Sequence, residues 1–173
     1  MDAYGGPLGG NRSYTNFDFD LRQYISPIKN VTIAGRINAG MISGWKSEYD
    51  QYEPVLFEKF YLGGSNTLRA WKPLQFMTAL NESGVVYPLG KTAKVLTNWE
   101  IRFPLVWKLG AVLFYDGGYI SENLASIGQA DIQWNRGAGI TFNLPFGPIR
   151  IDYAESLADP SVNQFHFGFL YAF

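Results

Sequence analysis

The chain has no cysteine, a single histidine and few charges. Without cysteine there can be no disulfide and no thiolate metal site. The lone His166 cannot assemble a histidine zinc set. It also lacks a placed nucleophile and an orienting acid, so no catalytic residues are expected and the chain does not read as an enzyme. Charged residues make up 17% and the formal net charge is −1, which gives no basic surface for nucleic acid. Neither Gly63-Gly64 nor Gly117-Gly118 is followed by the Lys-Ser/Thr of a phosphate loop. No cofactor and no metal are implied. Long apolar runs are missing too. The longest, Leu109 to Tyr115, is of strand length, far short of the ~18 residues that mark a transmembrane helix.

Aromatic residues and glycine are abundant: 13 Phe, 11 Tyr, 5 Trp and 19 Gly in 173 residues, a composition that suits sheet better than helix. Period-two alternation recurs along the chain. Thr15 to Ile25 sets Phe17, Phe19, Leu21 and Ile25 against Asp18, Asp20 and Arg22. A turn is expected at Ser26 to Asn30, and Val31 to Met41 alternates again. A long irregular region, Ser43 to Gly90, follows; connections of that length are usually functional. Further strands are expected at Ala93–Phe103, Leu109–Tyr119, Gln133–Leu144, Ile149–Glu155 and Gln164–Phe173. In the last, Phe165, Phe167, Phe169, Tyr171 and Phe173 share one face.

These about seven strands, mostly of the ~9–11 residues that cross a bilayer, are joined alternately by short turns and long loops. That is the pattern of an antiparallel transmembrane β-barrel in an outer membrane. The apolar face would meet lipid. The lumen would receive Asp18, Asp20, Arg22, Arg36, Lys94, Glu100, Arg102, Asp116, Arg150 and Asp152, whose mixed signs favour mutual pairing. A soluble β-sandwich or lipocalin-like barrel has the same periodicity with the faces exchanged. The five-aromatic final strand and the asymmetric loops favour the membrane. Met1 to Tyr4 reads as the end of a preceding strand, with Gly5 to Gly10 as its outer loop, and Met1 to Gly6 is not a signal peptide. The expectation is a chain cut within a strand, either a small barrel of about seven or eight strands or half of a larger one.

Three segments, in order, resemble the C-terminal half of the Omp85 superfamily barrel, the surface-antigen domain. Phe60 to Trp71, FYLGGSNTLRAW, is similar to the family's sixth extracellular loop: Gly63-Gly64, a spacer, then Leu68-Arg69-Ala70-Trp71. Val112 to Gly118, VLFYDGG, resembles a strand with Asp116 before small residues. Arg136 to Ile140 with Leu144 to Ala154 resembles the closing strand pair. One position departs: Ala70 stands where the family usually has Gly, and its methyl group narrows the backbone options.

The resemblance implies an all-β barrel of about 16 strands, of which residues 1–173 are the C-terminal part with no POTRA domain. It implies that the sixth loop folds into the lumen, where Arg69 locks onto Glu100 and Asp116. It also implies that His166, Gly168, Tyr171 and Phe173 form a C-terminal targeting signal on a strand at the barrel seam. The implied site is a Gram-negative outer membrane. The implied partners are its lipid and lipopolysaccharide, nascent outer-membrane or secreted proteins, and accessory assembly proteins or further copies of the chain. The implied function is insertion, assembly or translocation of proteins. A minimal structural or pore-forming barrel, or the membrane anchor of a patatin-like lipase, are the alternatives.

Overall fold

The computed structural model describes residues 2–4, 12–47, 58–128 and 131–169. Ten strands follow in chain order: β1 (Asp2–Tyr4), β2 (Arg12–Ile28), β3 (Val31–Ser47), β4 (Thr78–Leu80), β5 (Val86–Pro88), β6 (Ala93–Pro104), β7 (Leu109–Ser121), β8 (Gln133–Leu144), β9 (Gly147–Ser156) and β10 (Asn163–Phe169). Eight form one sheet in the order β1-β2-β3-β6-β7-β8-β9-β10, and β4-β5 is a separate hairpin. Every pairing is antiparallel and joins sequence neighbours, apart from the step from β3 to β6 across the long loop. Among the described residues β1 and β10 are the two edges, so the sheet is an open arc of a barrel wall.

Two expectations need correction. Residues 26–28 were expected to turn, but β2 continues through Ile28, and the tight turn is Lys29-Asn30, with Asn30 at φ 66°. Pro27 has no N–H for the ladder, and the register slips between Ile25 and Ile28, so the strand absorbs it as an irregularity. The long loop is shorter than its alternation suggested. β3 runs on to Ser47, and the described part of the loop contains the β4-β5 hairpin. The strand expected before Gly5 is β1, paired with residues 14–16. The proposed outer loop at residues 5–10 lies outside the described residues, as do Tyr171 and Phe173.

The two faces of the sheet have the opposite arrangement to a water-soluble protein. Phe17, Phe19, Leu21, Ile37, Trp99, Ile101, Leu113, Ile140 and Ile151 are exposed, and Phe165, Phe167 and Phe169 are 72%, 66% and 65% exposed. Asn38, Asn98, Glu100, Asp116, Asn135, Arg150, Asp152 and Ser156 are buried. The polar face is the covered one because residues 58–91 lie over it. All ten charged residues expected on that face take part in ion pairs, Lys94 with Asp18 at 2.7 Å and Arg36 with Asp20 at 2.6 Å among them. A polar face can be buried only when its groups find partners.

The exposed apolar face is bounded at both ends. At the short-turn end Trp107 and Phe142 meet edge to face at 5.7 Å, and Phe146 is exposed. At the long-loop end Tyr115 stacks on Trp134 at 5.0 Å, next to the cross-strand pair Arg136–Glu155 at 2.9 Å. An apolar band edged by aromatic and then charged residues is what a membrane-facing barrel wall requires. On this face Leu113, midway between the two rims, is exposed, and Leu113→Arg is expected to cost ~2–4 kcal/mol near the bilayer midplane. Urea unfolding in lipid vesicles measures it. A cost below about 0.5 kcal/mol, the usual size for a water-facing site, would refute the assignment.

Candidate functional site: a loop arginine on the inner wall

The loop that covers the inner face is built to be rigid. Gly63 and Gly64 have φ of 108° and 103°, a region that side chains avoid, and a Cβ on Gly63 would lie 2.3 Å from the Lys72 carbonyl. This bend lets the Gly63 N–H donate to Thr67 Oγ1 (2.9 Å) and the Gly64 N–H donate to the Trp71 carbonyl (2.9 Å). Leu62 and Leu68 are buried with Phe60, Leu96 and Ile120, and Trp71 packs against the same cluster. Trp71 also meets Phe76 edge to face at 5.2 Å. The leucines and Trp71 anchor both ends of the turn that presents Arg69.

Arg69 is completely buried. Its Nε and Nη2 donate to the two oxygens of Asp116, at 2.8 and 2.6 Å, and its Nη1 donates to Glu100 Oε1 at 2.5 Å. The guanidinium carbon lies 3.5 Å above the centre of the Phe114 ring. The planar fork therefore satisfies two carboxylates edge-on while its face rests on an aromatic ring, an arrangement that lysine cannot reproduce. Burial by itself would lower the Arg69 pKa, but Asp116 and Glu100 outweigh it and hold it above its ordinary value, so the side chain stays charged.

Other side chains complete the charge balance. Arg102 donates to Glu100 Oε2 at 2.7 Å, Arg150 lies 3.5 Å from Glu100 Oε1 and contacts Asp152, and Asn98 donates to Asp116 Oδ1 at 2.9 Å. Three arginines thus face three carboxylates. The structure brings the three sequence-predicted residues Arg69, Glu100 and Asp116 into direct contact. It adds Asn98, Arg102, Phe114, Arg150 and Asp152. Arg102, Arg150 and Asp152 were legible as inward-facing, but not as members of this cluster. Asn98 carried no signal beyond its alternation, and Phe114 none beyond its place in the VLFYDGG segment.

Glycines on β8 make room for the cluster. A Cβ on Gly137 would lie 2.2 Å from the Phe114 ring and 2.2 Å from the Tyr153 carbonyl, and one on Gly139 would lie 2.0 Å from Asp152 Oδ1. The ring under Arg69 and the carboxylate beside it therefore lean across backbone that has no side chain. Ala70, where the family has Gly, is buried against Val112, Phe114 and Ala154. Its φ is not positive, so the methyl group fits without strain.

Of the predicted residues near the C-terminus, His166 and Gly168 lie on β10, and Tyr171 and Phe173 lie outside the described residues. His166 faces inward, with its Nε2 2.7 Å from the Arg69 carbonyl, and Gly168 pairs with Arg150.

The comparisons with known proteins agree with this architecture. The Omp85 superfamily domain matches residues 1–173. The chain belongs to the Omp85 superfamily. It is 25% identical over 167 residues to the outer membrane protein assembly factor BamA of Nitratidesulfovibrio vulgaris, a match covering 95% of this chain and 20% of that protein. The chain thus spans about a fifth of the length of this curated relative. In fold it is similar to the crystal structure of BamA from Haemophilus ducreyi lacking POTRA domains 1–3. The TM-score is 0.67 at 15% identity, over 93% of this chain and 35% of that one. The soluble sandwich and lipocalin-like readings are therefore excluded.

Gly137→Ala is expected to push Phe114 from beneath Arg69 and to destabilise the protein by ~1–3 kcal/mol, the usual cost of overpacking. Gly168→Ala, whose Cβ would come no closer than 3.9 Å to any neighbour, is the control and should stay within about 0.5 kcal/mol. Equilibrium unfolding of the two variants side by side checks the ranking.

Proposed function

We propose that this chain is the C-terminal part of the barrel of an Omp85-type protein that assists insertion and assembly of nascent outer-membrane proteins in a Gram-negative outer membrane. The observation that carries this reading is the docked loop: a segment matching the family's sixth loop lies on the inner wall, with Arg69 bound by Asp116 and Glu100. The family match along the whole chain and the likeness to BamA support it.

The work in this reading is mechanical rather than covalent. Arg69, Glu100 and Asp116 form a lock that holds the loop in the lumen, with Gly63, Gly64, Leu68, Ala70 and Trp71 shaping the part that docks. β10 pairs with β9 on one side, and its other edge has no partner among the described residues. In the complete barrel this edge would form the seam, where a weakly paired strand offers its N–H and C=O groups to an incoming strand. We assign targeting and seam roles to His166 and Gly168 on this strand and to Tyr171 and Phe173, which lie outside the described residues. Partners are the membrane lipid, including lipopolysaccharide, and unfolded barrel strands, within an assembly complex.

Arg69→Ala leaves two buried carboxylates short of a counter-charge and is expected to cost ~3–5 kcal/mol of stability. Assembly of a reporter barrel in vesicles by the full-length protein should fall with it. Arg69→Glu should be at least as severe. Wild-type assembly by the Arg69→Glu protein would end the lock proposal.

A further inference from the structure

We infer that His166 is a positioning residue that couples the last strand to the docked loop. The loop's backbone lies over the inner wall, and three of its carbonyls are met by wall side chains. Arg36 of β3 donates to the Asn66 carbonyl at 3.1 Å, Asn98 of β6 donates to that of Thr67 at 2.8 Å, and His166 of β10 meets that of Arg69 at 2.7 Å. Of the three residues only Arg69 is fully buried, and a buried carbonyl without a partner is costly, so the His166 contact is part of what docks the loop.

His166 differs from the other two in where it stands. β3 and β6 are flanked by strands on both sides, whereas β10 pairs only with β9 among the described residues. The carbonyl that His166 meets also belongs to the residue whose side chain holds Asp116 on β7 and Glu100 on β6. Arg69 is therefore gripped from both ends, by its side chain to the middle of the sheet and by its backbone to the edge strand. A carbonyl oxygen only accepts, so Nε2 must carry the proton. The neighbours on β10, Phe165 and Phe167, are exposed on the other face, which leaves the histidine as the inward contact at this level.

Coupling of this kind is reciprocal. Undocking the loop removes a restraint from β10, and displacing β10 leaves the Arg69 carbonyl without its donor. In the assembly reading, on which this consequence rests, a strand arriving at the β10 edge would be sensed by the loop, and loop release would free the edge.

Hydrogen exchange of the full-length protein in lipid nanodiscs tests the coupling, with His166→Gln, His166→Asn and His166→Phe. The glutamine amide nitrogen reaches about as far as Nε2. The asparagine nitrogen matches Nδ1 and falls short, and phenylalanine keeps the ring without a donor. Glutamine is expected to behave as wild type. Asparagine and phenylalanine should speed exchange by about two- to tenfold, both in the loop (residues 60–72) and in β10 (residues 163–169). Faster exchange in β10 with an unchanged loop would overturn the coupling, and so would identical behaviour of all three variants. Exchange needs no substrate. Failure of the unmodified full-length protein to assemble the reporter would therefore count against the assembly reading and leave the exchange result untouched.

Discussion

Everything on the inner face depends on keeping one buried guanidinium neutralised. Arg69 is held away from water, and a charge in that position is tolerable only if opposite charges and hydrogen bonds surround it. Asp116 and Glu100 supply the charges, but they are buried too and bring further requirements. Asn98 takes up one oxygen of Asp116, while Arg102 and Arg150 balance Glu100 and Asp152. The requirement spreads across β6, β7 and β9 until the charges cancel. The bulk of the cluster then has to be housed, which is what the missing side chains of Gly137 and Gly139 on β8 allow.

Such a network adds little stability compared with an apolar core of equal volume. What it provides is position. A long loop resting on apolar contacts alone could slide along the wall. A bidentate arginine pair fixes the loop in both distance and orientation. The apolar part of the interface, Leu62, Leu68 and Trp71 against Leu96 and Ile120, supplies burial, and the ionic part selects the register. The captured carbonyls of Asn66, Thr67 and Arg69 add direction along the backbone.

Much of this was legible in the amino-acid order. Period-two alternation located the long strands and assigned their faces, since a one-residue error would have exchanged lipid-facing and lumen-facing residues. Gly63-Gly64 followed by Leu68-Arg69 marked the loop, and the family resemblance named its acidic partners. Boundaries were less legible. Pro27 reads as a break in any local window, yet β2 passes through it because the pairing on both sides holds the strand in line. Lys29-Asn30 turns instead, where Asn tolerates a positive φ.

The sequence by itself determined the sheet, the chemical character of each face and the arginine that must be neutralised, because these depend on the order and spacing of residues along single strands. Only the tertiary structure decided how the charges are shared. Arg69 and Asp116 are separated by 47 positions in the chain, and Arg69 and His166 by 97. Contacts of that kind are set by strand register across the sheet, which local periodicity does not encode. The same holds for Phe114, an ordinary aromatic in a strand until Gly137 opposite leaves it room to lie beneath the guanidinium.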